Sequence, residues 1–198
     1  MESKLLTYDK LMSIYKSKGF IWQDKAGMMN IGGVRSNDKT PDVFNDFLFA
    51  AYKDENGVNN VSVMPGTTDP GTYWLKNPMN PGGCFVLCPG QYPQSHTPGL
   101  HRGTTALVQV GCLTGWRDKN KDGIVDEGGE TITGADYGVN IHSMGERLTV
   151  IYNWSAGCQG ASISDILHLV TLVKKQVAAW PECGECIDYT LLKEDDFV

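Results

Sequence analysis

Apolar residues near the N-terminus recur with the spacing of an amphipathic helix. Over residues 8–18, Leu11, Ile14, Tyr15 and Lys18 share one helical face, and most of the other positions are polar or charged. Thr7 is a favourable N-cap for this segment, and Gly19 is a favourable stop signal. We therefore expect a helix over 8–18, inside an N-terminal helical appendage of residues 1–19.

Beyond this segment the hydrophobic pattern changes to that of short strands separated by turns. Asn56 and Gly57 divide two strand-like runs, which is a strong signal for a β-hairpin. The 23 glycines and nine prolines of the chain suit a protein built from strands and turns. Further strands are expected at Thr72–Leu75, Cys84–Leu87, Thr105–Thr114, Tyr137–His142 and Leu148–Trp154.

A second helix is predicted over residues 164–179. Ser164 is the expected N-cap, and Pro181 limits the end of the segment. The apolar stripe consists of Ile166, Leu169, Val170, Val173 and Val177. The pattern as a whole predicts a mainly β fold in a single domain over 1–198, with its core at about 28–180.

Composition narrows the class of protein further. The chain has 198 residues, 41% of them hydrophobic, which indicates a globular protein with a substantial core. The net charge of −6 and the lack of a basic cluster argue against nucleic acid as a partner. No apolar run approaches the roughly 20 residues of a membrane span, and the N-terminus lacks the features of a secretory signal. We therefore expect synthesis in the cytoplasm without a signal peptide.

Two pairs of cysteines invite a metal or redox interpretation. Cys84 and Cys88 belong to "CFVLC", while Cys183 and Cys186 belong to "CGEC". Four thiolates from these pairs could hold zinc, but "CFVLC" is typical of a buried strand whose thiols pack in the core. One CxxC pair is a weak redox signal. A zinc or redox protein therefore stays as a minor alternative, and the role of the "CGEC" pair is open.

The segment "DKNKDGIVDEGGE" resembles the first half of a calcium-binding loop. Acidic or amide side chains alternate from its first residue, and Gly123 allows a sharp turn. Its second half departs from that pattern, because Gly129 stands where a bidentate Glu is expected. Two interpretations remain open, a structural Ca²⁺ site and a bare polar turn. The candidate ligands are Asp118, Asn120, Asp122, Ile124 through its carbonyl, and Asp126.

A histidine and a cysteine stand at the ends of two strand-like runs. His142 ends the first run, and Cys158 follows the second after small residues that leave its thiol little shielded. A nucleophilic cysteine needs a base and donors for an oxyanion, and a nearby helix N-terminus favours its thiolate. Two antiparallel strands would bring the pair close only if the loop before Cys158 folds back. Spacing alone therefore permits their contact without establishing it.

These residues resemble the catalytic signature of the L,D-transpeptidase family. "IHS…WSAGC" is similar to the family's His, followed after about fifteen residues by Ser/Thr-x-Gly-Cys. "TTDPGTYWL" at Thr67–Leu75 resembles the family's Thr-Pro-x-Gly-x-Tyr/Phe segment. "GLHRG" at Gly99–Gly103, "NIH" and "WSAGCQ" are similar to a phage and prophage branch. The resemblance covers about residues 28–180.

The resemblance implies a fold and a role for particular residues. The fold would be an L,D-transpeptidase-like β-sandwich or barrel with a helix after the cysteine. Cys158 would be the nucleophile and His142 the general base. The N–H groups of Gly157 and Cys158 would bind the oxyanion, and Ser155 would orient the imidazole. The candidate substrate-binding residues are His101, Arg102, Gln159, Tyr92 and Trp154, and no cofactor is required.

The resemblance also implies a function. Family members attack a diaminopimelate-type carbonyl in a peptidoglycan stem peptide, release D-Ala, and pass the acyl group to an amine or to water. This chain would then be a transpeptidase, carboxypeptidase or endopeptidase, reaching the cell wall in a phage virion or at lysis, where other phage proteins are its expected partners. The alternative is a non-catalytic virion or cell-wall-binding module that keeps the fold.

Overall fold

The computed structural model describes residues 2–198, which fold mainly into β-strands. The helices are α1 (Tyr8–Ser17), α2 (Thr72–Lys76) and α3 (Ile163–Ala179), with 3-10 turns at Ser3–Leu5, Pro181–Cys183 and Glu194–Phe197. The strands are β1 (Met29–Arg35), β2 (Asp46–Lys53), β3 (Asn59–Thr67), β4 (Cys84–Leu87), β5 (Gly90–His101), β6 (Thr104–Gln109), β7 (Leu113–Asp118), β8 (Ile132–Gly134), β9 (Ile141–Ser143), β10 (Gln159–Ala161) and β11 (Ile187–Lys193). The mainly β expectation is therefore confirmed.

Eight strands close into a barrel in the order β1-β11-β5-β6-β9-β10-β3-β2. Two neighbouring pairs, β1–β11 and β9–β10, are parallel, and the other pairs are antiparallel. A separate sheet has the order β4-β7-β8. Because β11 is a barrel strand, the predicted core of 28–180 is too short at its C-terminal side.

The helix α3 packs its apolar stripe into the main hydrophobic core. Ile166, Val170 and Val173 are buried in the same cluster as Leu107 of β6 and Ile141 of β9. The helix begins one residue earlier than predicted. Its N-cap is Ser162, not Ser164, since the Ser162 hydroxyl accepts the Asp165 N–H at 3.2 Å. Within residues 2–198, no helix combines the length and apolar character that a membrane crossing requires.

The helix α1 covers the outside of the barrel. Leu11 and Tyr15 are buried against Val34 of β1 and Phe49 of β2, in a cluster separate from the barrel interior. Thr7 caps the helix as predicted, because its hydroxyl accepts the Lys10 N–H at 3.3 Å. The N-terminal appendage is therefore part of the packed structure.

Local turn signals were more reliable than the predicted strands. The β2–β3 hairpin is confirmed, with Gly57 in the connection at a φ of +77°. The predicted strand Thr72–Leu75 is instead the helix α2, and the predicted strand Leu148–Trp154 is irregular. Asp42 explains part of this difference. Its carboxylate accepts the N–H groups of Thr72 and Tyr152 at 2.9 and 2.8 Å, bonds that a sheet would otherwise supply.

Candidate active site

The parallel pairing of β9 and β10 brings the histidine strand beside the cysteine. His142 lies opposite Gly160, and Cys158 directly precedes Gln159, the first paired residue of β10. Residues two apart along an extended chain share a face, so this register favours a diagonal placement of His142 and Cys158. The predicted antiparallel pairing of Tyr137–His142 with Leu148–Trp154 is wrong, because β9 pairs with β6 and β10 instead.

The imidazole of His142 is held in one tautomer. Its Nδ1 lies 2.9 Å from the carbonyl oxygen of Ser143, which can only accept, so Nδ1 carries the proton. Its Nε2 therefore bears the lone pair, and this atom is buried without a hydrogen-bond partner among residues 2–198. Burial lowers the pKa of His142 to about 4, opposed by the Ser143 carbonyl and reinforced by His101 and Arg102. The imidazole is neutral at neutral pH, as a proton acceptor must be.

A β-hairpin turn places His101 and Arg102 beside His142. Arg102 and Gly103 connect β5 to β6 with φ angles of +50° and +83°, as in a type I′ turn. The rings of His101 and His142 stack with centroids 4.4 Å apart and planes at 25°. The sequence-based prediction that these residues share one site is thus consistent with the fold.

Asn140 fixes the orientation of His101. Its Oδ1 accepts the backbone N–H of Gln109 at 2.9 Å, so its Nδ2 must be the group that donates to Nδ1 of His101 at 2.9 Å. His101 therefore carries its proton on Nε2. Burial and the charge of Arg102 lower the pKa of His101, so this ring is also neutral.

The thiol of Cys158 is protected in this conformation. Cys158 is 8% exposed, and its Sγ lies 3.4 Å from the carbonyl oxygen of Gly138. Burial raises the pKa of the thiol, while the backbone N–H of Asn140 and the charge of Arg102 oppose that change. No hydrogen bond joins Cys158 to His142 in the described part of the chain. The expected thiolate is therefore not the resting form, because burial outweighs the groups that favour it.

Ser155 and Gly157 shape the loop before the cysteine and do not have the predicted contacts. The Ser155 hydroxyl donates to the carbonyl of Cys158 at 2.8 Å and accepts the N–H of Gly157 at 3.1 Å. Ser155 thus does not contact the imidazole, and the Gly157 N–H is not free for an oxyanion. The Cys158 N–H donates to no residue within 2–198. Gly157 has a φ of +124°, and a Cβ there would lie 2.6 Å from the Phe85 carbonyl oxygen.

Two further candidates, Gln159 and Tyr92, have their polar groups bonded to other residues inside the protein. Gln159 is fully buried, and its amide donates to the Thr68 carbonyl at 3.1 Å and accepts the Tyr189 hydroxyl at 3.0 Å. The Tyr92 hydroxyl donates to the Cys88 carbonyl at 2.5 Å, inside the core. Both side chains are occupied by the protein itself. Their polar character reflects buried hydrogen bonding, which the sequence did not reveal.

Two clefts include residues of the loop before Cys158 in their lining. The first, of 490 Å³, is lined by His101, Arg102, His142 and the half-exposed Trp154, among others. The second, of 310 Å³, is lined by residues that include Ala156, Phe85, Arg117 and Tyr137. In that cleft the Arg117 guanidinium lies 5.6 Å from the Phe85 ring centre and 5.5 Å from that of Tyr137. Cys158 itself lines neither cleft, which agrees with its burial.

Asn140 and Asp42 are site-supporting residues that sequence reasoning missed. Asn140 links His101 to the barrel, and Asp42 holds the loop before Cys158 to α2. The sequence offered an indication of Asn140, because it lies two residues before His142 with only the apolar Ile141 between them. Asp42 is 110 positions away from its partner Tyr152, so its role depends entirely on the fold.

The structure does not assemble either predicted metal site, the zinc site of four cysteines or the calcium site of the Asp118 loop, in a form ready to hold an ion. Within residues 2–198, no three His, Cys, Asp or Glu side chains lie close enough together to hold a metal ion. The four-thiolate zinc alternative has no support, since Cys84 and Cys88 are buried while Cys183 is exposed. In the Asp118 loop, several oxygen-bearing side chains nevertheless face one another.

The structure thus brings His101, Arg102, His142 and Trp154 to one cleft, and Cys158 is buried outside its lining. This arrangement comprises a neutral imidazole, a cationic side chain and a cysteine that directly precedes the adjoining strand β10. Comparisons of the chain with protein-family models, with curated proteins and with solved structures found no match.

Proposed function

We propose that this protein is a cysteine-dependent acyl-transfer enzyme acting on peptidoglycan stem peptides, as the L,D-transpeptidases do. The observation that carries the proposal is the unpartnered Nε2 of His142. A buried imidazole nitrogen without a hydrogen bond costs free energy unless something uses it. Its tautomer is the one that a base needs, and the strand register places it near Cys158.

The proposed reaction begins with both groups neutral. As the Cys158 sulfur attacks the substrate carbonyl, Nε2 of His142 accepts the thiol proton, and the Cys158 N–H stabilises the oxyanion. Collapse of the tetrahedral intermediate forms a thioester, and the imidazolium returns its proton to the departing amine of D-Ala. An amine or water then attacks the thioester and releases the thiol. Transpeptidation and hydrolysis differ only in this acceptor.

Residues of the 490 Å³ cleft suit a peptide that ends in a carboxylate. The Arg102 guanidinium can pair with a terminal carboxylate, and the exposed face of Trp154 offers an apolar surface. An enzyme with this substrate works outside the cytoplasm, and we propose that a virion or lysis delivers it there. Because the thiol is buried, the loop of residues 155–157 must shift before the sulfur meets substrate.

Purified muropeptides incubated with the protein and read by mass spectrometry test this proposal. The wild type should release D-Ala and leave either a shortened stem peptide, indicating hydrolysis, or a cross-linked dimer, indicating transpeptidation. Cys158→Ala should do neither, because the nucleophile is gone. Cys88→Ala is the matched control, since Cys88 is another thiol-bearing residue that is 8% exposed and belongs to a different part of the chain. Turnover by Cys158→Ala, or its loss in a folded Cys88→Ala, would contradict the assignment.

The alternative of a non-catalytic binding module is favoured by one observation, the buried Cys158 thiol with no bond to His142. In that case the wild type would leave every stem peptide unchanged. Wild type and Cys158→Ala would then bind muropeptides with equal affinity, which calorimetry can measure. Arg102→Gln would weaken that binding in both.

A further inference from the structure

The Asp118 loop, residues 118–126, contains a buried carboxylate oxygen without a partner. Asp118 ends β7 and is only 2% exposed. Its Oδ2 accepts the backbone N–H of Asp126 at 3.0 Å, but its Oδ1 is buried and accepts no hydrogen bond from residues 2–198. Leaving a carboxylate oxygen unpaired in a buried position is costly. Something other than these residues is expected to satisfy it.

Other oxygen-bearing side chains of the loop converge on the same region. The amide nitrogen of Asn120 donates to Asp122 at 3.0 Å and to Asp126 at 2.7 Å, so one neutral amide bridges two carboxylates. Both carboxylates also lie close enough to Asp118 for their charges to act on it. One short loop thus carries three neighbouring carboxylates. The Asn120 amide that bridges two of them has no positive charge to offset their repulsion.

We infer that the Asp118 loop binds a calcium ion. The ligands are Oδ1 of Asp118, the carboxylates of Asp122 and Asp126, the amide oxygen of Asn120, and the carbonyl of Ile124. Ca²⁺ takes six to eight oxygen ligands at about 2.3–2.6 Å from such loops, and Gly123, at a φ of +90°, provides the turn. In the present arrangement, within residues 2–198, the acidic side chains are not close enough together to hold an ion. The Asn120 amide nitrogen instead donates hydrogen bonds to the carboxylates that would bind it. Calcium would draw them together.

Nearby charges limit which groups can take part. Glu127 follows Asp126 but is held by Lys39 and Lys193, each at 2.8 Å, and therefore anchors the loop instead of binding the ion. Lys76 of α2 reaches Gly123, since a Cβ there would lie 2.5 Å from the Lys76 Cε. The Lys76 ammonium nitrogen lies 3.4 Å from the same Cβ position, so it is next to the loop, and we expect it to compete with calcium.

Calorimetric titration with CaCl₂ and thermal melting test the inference. Calcium at 100 times its Kd should raise the Tm of the wild type by about 5–10 °C, because it binds only the folded loop. Asp118→Asn should lose at least about tenfold in affinity, since a neutral amide replaces the buried charged ligand. Lys76→Met should bind more tightly. The matched control is Glu130→Gln, which removes an exposed carboxylate from the same segment and should behave as the wild type.

The outcome does not depend on the catalytic proposal, because the readouts are heat and melting temperature. If Asp118→Asn fails to fold, Asp122→Asn replaces it, since that side chain is exposed. Absence of binding heat at millimolar calcium, with a Tm that neither calcium nor EDTA changes, would overturn the inference. Equal affinity in the wild type and Asp122→Asn would overturn it as well. Magnesium should bind much more weakly, because it demands octahedral geometry and retains its water.

Discussion

At the scale of single residues, the protonation of His142 governs the proposed chemistry. Burial brings its pKa to about 4, whereas an ordinary imidazole titrates near about 6.5. The base must be unprotonated, so activity should rise as pH increases through this pKa and then level off. We expect the acid limb of kcat/KM on stem peptides to have its midpoint near pH 4. A midpoint near 6.5 would contradict the buried, unpartnered state of the ring.

Arg102 gives a second test of the same residue. Its positive charge lowers the pKa of His142, so Arg102→Gln should move the acid limb of kcat/KM to higher pH. Arg147→Gln is the control, because that side chain is exposed and lies outside the cleft. If the acid limb of kcat/KM has the same midpoint pH in both variants, the charge of Arg102 does not affect the pKa of His142.

The sequence identified residues by type but not by contact. His101, Arg102, His142 and Trp154 were predicted from motifs, and they line one cleft. Ser155, drawn from the same motifs, has its hydroxyl bonded within its own loop instead. The sequence does not distinguish a polar residue that faces a substrate from one that hydrogen-bonds to buried backbone groups, because tertiary packing determines which of the two it does.

At the scale of elements, the close approach of β9 and β10 defines the site. A Cβ at Gly160 would lie 2.6 Å from the His142 carbonyl oxygen and 2.5 Å from the Met144 methyl group. Gly160→Ala should therefore push the strands apart, lower stability by about 1–3 kcal/mol, and reduce kcat at least about tenfold. Urea unfolding and stem-peptide turnover measure the two effects.

Gly90→Ala in β5 is the control for this substitution. A Cβ there would meet only the end of the Tyr92 side chain, at ordinary distances of 3.6 Å to its hydroxyl and 3.7 Å to its Cζ. It should leave both stability and turnover near the wild-type values. If Gly160→Ala behaves like this control, the spacing of β9 and β10 does not determine catalysis.

Elements with local signals were predicted well, and elements that depend on distant partners were not. The helices α1 and α3 carry caps and apolar stripes within their own segments, and the β2–β3 hairpin has its own turn residues. The strand β11 has no such signal, since its place is set by β1 and β5 on either side. The closed barrel is a property of these long-range pairings.

At the scale of the whole molecule, the buried Arg35 joins parts that are distant in sequence. It lies at the end of β1, donates to the carbonyls of Thr68 and Leu87 at 2.8 Å, and pairs with Asp69 at 2.8 Å. It also pairs with Glu127 at 3.4 Å, next to the Asp118 loop. The barrel, the smaller sheet and that loop are therefore joined by one network of ion pairs and hydrogen bonds around Arg35.

Glu127 makes this network sensitive to acid. Its pKa is lowered to about 2, because bonds to Lys193 and Lys39 and the charge of Arg35 outweigh the opposing effect of burial. A lowered folded-state pKa stabilises the fold above the unfolded value of about 4.3 and loses that effect as pH falls towards 2. Glu127→Gln should be about 1–3 kcal/mol less stable than the wild type at pH 7.

The difference in unfolding free energy between wild type and Glu127→Gln should shrink steadily from pH 5 to pH 2. Glu55→Gln, an exposed change on the β2–β3 hairpin, should show no such trend. Denaturant unfolding at a series of pH values measures both. If the difference in unfolding free energy stays constant from pH 5 to pH 2, protonation of Glu127 is not coupled to unfolding.

The parallel pairing of β1 with β11 also determines when the barrel can form during translation. Residues 187–193 fill the gap between β1 and β5, so the nascent chain presents two open strand edges until that segment leaves the ribosome. The segments that carry His142 and Cys158 emerge earlier, before the barrel can close around the core. The barrel therefore closes only after residues 187–193 have emerged, and until then the unpaired edges are the surfaces most exposed to aggregation or to capture by chaperones.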